Sequence, residues 1–318
     1  MKIALCFIIS YEHTLNKEEL WRKWIQPNKD IINVYFYYKN LNKIKSQWIL
    51  DNVIDHKYIH ETSYYHVIPA YLAVMTYAYN HNSENQWFCI LTESCCPIIS
   101  PNRFRNLFYI NYFYSIINWR KIWWNVQLQK RANLDLLPEN LRLANDPYFI
   151  LKREDVRNCF KFTHTKSSIF KLICDGGLAN ESLFAIILLM TNKLEYVKKY
   201  ITHLTDWSRM TSPTSPYLFK EGSQRDIQFI ENGLKENKFA IFIRKISSDF
   251  PNDILNKFIY VDTNEKIRWW IWLKPFFWRK CLILCLNIII YSSIISLSFL
   301  LFYILYIFFN NQYNYFIN

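Results

Sequence analysis

The order of apolar runs along the chain predicts an α/β protein. Its core is a mixed, mostly parallel sheet with helices on both faces, followed by one C-terminal transmembrane helix. Three observations carry this reading. Strand-like and helix-like segments alternate up to residue 93. The strand-like segments are apolar almost without interruption, as strands buried on both faces are. The stretch Cys281 to Phe309 contains no charge and a single Asn.

The first strand is "KIALCFIIS" (2–10). It is too short to span a bilayer, and no small-residue cleavage site follows it, so it reads better as a buried strand than as a signal peptide. An amphipathic helix follows in "NKEELWRKWI", then a second strand in "DIINVYFYY" (30–38). "VIPAYLAVMTYAYN" (67–80) carries apolar residues at helical spacing, and "QWFCILTE" (86–93) is the third strand. Its run ends in a polar, cysteine-rich corner, Thr92-Glu93-Ser94-Cys95-Cys96-Pro97. In parallel α/β sheets ligands sit at the carboxyl ends of strands, which marks this corner as a place where a site is expected. Further on, "DPYFILKREDV" (146–156) reads as a strand entering a helix, and "NESLFAIILLM" (180–190) as a helix with Asn180 as N-cap. "SQRDIQFIENGLKEN" is a helix capped by Ser223, and "KFAIFIRKIS" (238–247) a final strand.

At about 1.5 Å per residue, a helix over 281–309 would be roughly 43 Å long, more than the ~30 Å hydrocarbon core requires. "RWWIWLKPFFW" supplies an interfacial aromatic belt before it, and Lys266, Arg268, Lys274, Arg279 and Lys280 a positive flank. The expected organisation is a folded domain at 1–262, a basic aromatic juxtamembrane segment at 263–280, the membrane helix at 281–309 and a short tail at 310–318. The positive flank keeps the large domain cytoplasmic.

Composition removes several classes. Hydrophobic residues make up 51% and glycines number four, so neither a disordered nor a fibrous chain fits. The net charge of +12 is scattered apart from the juxtamembrane cluster, which argues against nucleic acid as a partner. Eight cysteines form no C-x-x-C pair, as expected of buried free thiols. No Asp-x-Asp occurs, so one common carboxylate pair for holding a divalent metal is missing.

Six segments in order resemble the core-2/I-branching β-1,6-N-acetylglucosaminyltransferase-like enzymes, glycosyltransferase family 14, and especially their plant-type branch. They are the N-terminal strand, the "TESCCP" corner, "YFILKRED", "NESLF", "THLTDWS" (202–208) and "FAIFIRKIS", spanning residues 1 to about 250. The resemblance implies a GT-A-like (Rossmann-like) fold and metal-independent, inverting transfer of a sugar, N-acetylglucosamine from UDP-GlcNAc, to a galactose- or GalNAc-type hydroxyl. It implies Glu181 as the catalytic base, Arg244 and Lys245 as the basic pair on the diphosphate with Lys245 the stronger match, and Trp207 with Asp206 on the acceptor. Glu93 and Ser94 would offer acceptors to sugar hydroxyls. Strand alternation points Arg244 and Lys245 to opposite faces unless the strand has ended. A helix-start position would also lower the basicity of Glu181. Each residue has a plainer alternative: a first-turn Glu, a solvated strand end, a core Trp. Two departures stand out. Asn180 replaces the Asp that precedes the family's base, and Tyr37-Tyr38-Lys39 stands where the family often has His and Asp. Beside an active transferase with no cofactor beyond its nucleotide-sugar donor, an inactive relative that binds a sugar or partner at the membrane stays open. Family members usually face the Golgi lumen, the alternative topology.

Overall fold

The structure, a computed structural model, describes residues 1–9, 11–212 and 214–260, together with the helical residues 286–293, 295–301 and 303–304. The chain divides into two compact units, Met1–Lys266 and Ile267–Asn318.

The first unit contains strands β1 (Lys2–Ile8), β2 (Ile32–Tyr37), β3 (Asn85–Thr92), β4 (Cys96–Pro97), β5 (Trp119–Lys121), β6 (Leu143–Asn145), β7 (Ile150–Lys152), β8 (His203–Thr205) and β9 (Phe242–Arg244). Its helices are α1 (Glu18–Ile25), α2 (Gln47–Leu50), α3 (Ile68–His81), α4 (Pro101–Asn111), α5 (Arg153–Thr165), α6 (Ser167–Asp175), α7 (Leu183–Met190), α8 (Gln224–Glu236) and α9 (Asn252–Tyr260). The main sheet has the order β2-β1-β3-β7, with β1 parallel to both of its neighbours and β7 antiparallel to β3.

Strand β1 shows why its sequence is apolar throughout. Successive side chains leave a strand on opposite faces, so each face needs its own apolar set. Ile3, Leu5 and Phe7 pack with Trp21 and Trp24 of α1 and with Phe104 and Phe108 of α4. Ala4, Cys6 and Ile8 pack on the other face with Val74 and Ala78 of α3, Val156 of α5 and Leu183 of α7. A mixed sheet with helices on both faces is the expected fold class, and it fits a GT-A-like fold.

The sequence-derived elements recur with adjusted ends, and three differ in kind. The final strand is only Phe242–Arg244 and joins a separate sheet of order β4-β9-β8, parallel between β8 and β9 and antiparallel between β4 and β9. The "TESCCP" corner is where the chain leaves one sheet for the other: β3 ends at Thr92, and Pro97 already pairs with Phe242. Asn180 is not a helix cap. Residues Ala179–Glu181 form a 3-10 turn that precedes α7, and no side-chain cap bond is made there. The Ser223 cap is present, reinforced by Asp226 in a reciprocal capping box.

In the second unit the described residues are helical, with Leu286, Ile288, Phe299 and Leu301 exposed. Among the described residues no helix is long and apolar enough to cross a membrane. The juxtamembrane segment, the tail and the remainder of 281–309 lie outside the described residues.

Candidate active site

A large cavity of the first unit, ≈670 Å³, opens beside the small sheet, and Glu181, Trp207 and Arg244 all line it. These three come from segments far apart in sequence. Arg244 ends β9, Trp207 follows β8, and Glu181 closes the 3-10 turn before α7.

That turn is held from β6. Asn145 donates to the Asn180 carbonyl at 2.9 Å and accepts from the Ala185 amide at 3.1 Å, so one side chain clamps both ends of the link. Leu178, at φ 59°, turns the chain into it. Opposite stands the loop that carries Arg131, which crosses Gly176 so closely that a Cβ there would lie 2.4 Å from the Asn133 nitrogen. Only glycine permits this approach.

Arg131 Nη1 donates to Glu181 Oε2 at 3.0 Å, with both side chains 29% exposed. Burial raises the Glu181 pKa above the ordinary carboxyl value; Arg131 opposes the rise and Asp146 adds to it. Glu181 precedes α7 and is partly buried, so desolvation rather than the helix dipole sets its basicity. Asp146 is likewise raised by burial, opposed by Asn118 and Arg120, and its Oδ1 lies 3.3 Å from Arg120 Nη1. Arg120 in turn stacks over Trp123, 4.1 Å from its ring centre. The cavity thus holds two Arg–carboxylate pairs.

Arg244 differs. Its half-buried guanidinium lies 4.1 Å from the centre of the Tyr148 ring, and it has no ion-pair or hydrogen-bond partner among the described residues. A fixed cation on a cavity wall without an anion is what a diphosphate-binding group must be. Lys245 leaves the strand on another side: its Nζ donates to Ser215 Oγ at 2.6 Å, and it does not line the cavity. Glu93 and Ser94 do not line it either. The Glu93 carboxyl is raised by burial and opposed by the charges of Arg244 and Lys245, so it lies within electrostatic reach of the pair. Ser94 is buried, its Oγ 3.5 Å from Thr92 Oγ1.

Asp206 is buried in an ion pair. Its Oδ2 accepts from Arg209 Nε at 2.6 Å, and Arg209 continues to Asp226 at 2.7 Å, tying the Trp207 loop to the start of α8. Burial acts to raise its pKa, but the bonds from Ser208 and Arg209 outweigh that and leave it lowered. Asp206 positions its neighbour, and Trp207, 49% exposed, presents a free ring face to the cavity. Cys95 and Cys96 are buried and unbridged, their thiols pushed up by burial.

A family model of the core-2/I-branching enzymes matches residues 5–231. That span includes Glu93, Glu181 and Trp207. The chain belongs to this family. Core-2/I-branching enzymes are glycosyltransferases, so the substrates are a nucleotide sugar and a glycan acceptor. No curated protein matches the chain. Sequence reading missed Arg120, Trp123, Trp124, Arg131, Asp146, Tyr148 and His203 on the cavity wall. Asp146, Tyr148 and His203 lie inside the quoted "DPYFILKRED" and "THLTDWS" segments, and the Trp123-Trp124 pair was a visible signal. Nothing in the sequence marked Arg131.

Proposed function

We propose that this core-2/I-branching family member is a metal-independent, inverting glycosyltransferase that passes N-acetylglucosamine from UDP-GlcNAc to a galactose- or GalNAc-type hydroxyl. The observation that carries it is the meeting of Glu181, Trp207 and unpaired Arg244 around one cavity. Inverting transfer needs a base on the acceptor hydroxyl, and a carboxylate made more basic by burial suits that task near neutral pH. Arg131 keeps that carboxylate oriented. Trp207 stacks on the apolar face of the acceptor sugar, with Asp206 fixing its loop. Arg244 neutralises the departing diphosphate, and Lys245 supports it from outside the cavity wall. Glu93 sets the field around both cations.

A second cleft, at the carboxyl ends of β1 and β2, is lined by His13, Lys39, Asn40 and Thr62 and shares Tyr64 with the large cavity. We assign the nucleoside to it, as parallel sheets bind ligands at such ends. The Tyr37-Tyr38-Lys39 departure falls beside this cleft and favours the second reading, an inactive sugar-binding relative. We further propose, from the uncharged run 281–309 and its positive flank, a C-terminal anchor with the catalytic unit facing the cytoplasm.

The test is UDP release from UDP-GlcNAc by the purified full-length protein in detergent and EDTA, with galactose- and GalNAc-ended acceptors. Acceptor-stimulated release that Glu181→Gln abolishes supports the reading. UDP binding without release supports the inactive relative, and release that stops in EDTA sinks metal independence.

A further inference from the structure

Among the described residues, three polar atoms on the large cavity wall are buried without a partner: Trp124 Nε1, Arg244 Nε and His203 Nε2. The first two are donors. His203 alone offers an acceptor, because its neighbours decide which nitrogen carries the hydrogen. Thr202 Oγ1 donates its one proton to the Tyr148 carbonyl at 3.1 Å. Towards His203 Nδ1, 2.9 Å away, that hydroxyl can then only accept. Nδ1 therefore bears the hydrogen and Nε2 the lone pair.

The ring cannot easily turn away from this arrangement. It is 5% exposed and lies between Tyr148 and Phe242, with ring centres 5.1 and 5.0 Å distant. Burial, aided by the Arg244 charge, holds its pKa well below the ordinary value and keeps it neutral. In the parallel register of β8 and β9, His203 stands opposite Phe242 and Thr205 opposite Arg244. His203 and Arg244 thus leave the same face of the small sheet as diagonal neighbours.

A buried acceptor without a partner is costly to keep, and a ligand that supplies a donor recovers the loss. We infer that His203 is a specificity-determining residue, its Nε2 accepting a hydrogen bond from one hydroxyl of the sugar held beside Arg244. This rests on the transferase reading for which sugar that is, the one being transferred. A pocket that hydrogen-bonds a hydroxyl rejects the analogue without it far more strongly than an apolar pocket rejects a missing methylene.

The experiment compares binding to the full-length wild type, His203→Phe, His203→Gln and His203→Asn. The ligands are UDP, UDP-GlcNAc and a panel of UDP-sugars each lacking one hydroxyl, read by titration calorimetry, with the thermal midpoint of each protein as a folding control. UDP should bind all four proteins alike. UDP-GlcNAc should bind the Phe variant roughly 10- to 100-fold more weakly, the range a lost buried partner gives. Gln reaches the Nε2 position with an amide oxygen and should restore most of the affinity. Asn keeps only the Thr202 contact and should not, and this pair decides the matter if the Phe variant fails to fold. One deoxy-sugar should bind wild type and Phe variant equally. Unchanged UDP-GlcNAc affinity in a folded Phe or Asn variant overturns the proposal, as does an equal loss for UDP and every sugar. A wild type that binds UDP-GlcNAc but never transfers it sinks the transferase reading and leaves these comparisons to judge His203. A wild type that binds no UDP-sugar overturns both.

Discussion

Two sheets of the catalytic unit, the main one and the small β4-β9-β8 one, obey opposite rules. In the main sheet, β1 and β3 are buried on both faces, and their side chains are spoken for by helices above and below. In the small sheet, strands of two or three residues carry His203, Thr205 and Arg244 into a cavity, and two of those residues keep polar atoms without partners. The first arrangement minimises free energy locally. The second leaves polar groups unsatisfied, which natural proteins tolerate mainly where a ligand will complete them. The fully packed strands and the cavity-lining strands therefore belong to different sheets, joined at the "TESCCP" corner.

The contrast breaks most visibly at Glu181. Replacing it with Gln should lower acceptor-dependent transfer by about 10²- to 10⁴-fold, the usual contribution of a positioned base, with UDP binding and thermal midpoint kept. Equal loss of binding would show that Glu181 serves the fold. The mirror experiment is Phe7→Ala. Phe7 is fully buried between Trp21 and Phe36, and its truncation should cost about 3–5 kcal/mol in denaturant unfolding. Turnover per folded molecule should stay unchanged.

Arg244→Ala should reduce kcat by about 10²- to 10³-fold, as loss of one preorganised charge-stabilising group does, while Lys245→Ala costs less because its ammonium is bonded to Ser215 outside the cavity. A reversed order would mean that the ligand draws Lys245 inward. A finer probe is pH. The base must be ionised to act, so kcat/KM should fall as pH drops through the Glu181 pKa, which burial raises above its ordinary value. Arg131→Ala removes the charge opposing the rise and should move this limb further up; Asp146→Asn removes a charge adding to it and should move the limb down. Limbs that stay put in both variants would mean another group controls the profile. The smallest effect expected is at Trp207. Its change to Ala should raise the acceptor KM by several-fold, the scale of one aromatic contact, with the donor KM unaltered.

Much of the main sheet was legible because its signal is local. A strand buried on both faces must be apolar at every position, and α3 and the capped α8 repeat their pattern every three to four residues. The family motifs were legible for a related reason: "NESLF" and "THLTDWS" keep residue types whose chemistry is independent of where they end up. Glu181 and Trp207 come from these two motifs, and both line the cavity. Asn180 misled, because Asn before an apolar run is a good cap only if its backbone is extended, and here a 3-10 turn intervenes. Arg244 and Lys245 look equivalent in one dimension, and only the fold separates them: Arg244 lines the cavity, whereas Lys245 bonds to Ser215.

By itself, then, the sequence determined the class of fold, the order of its main elements and the residue types that transfer chemistry requires. It did so because burial and periodicity are properties of neighbours along the chain. Only the tertiary structure decided which of those residues meet. Arg131 reaches Glu181 across 50 residues, Asn145 clamps the turn from β6, and Arg244 faces Tyr148 with no ion pair among the described residues. Such contacts depend on where separate segments cross, and crossing points are set by the packing of the whole unit.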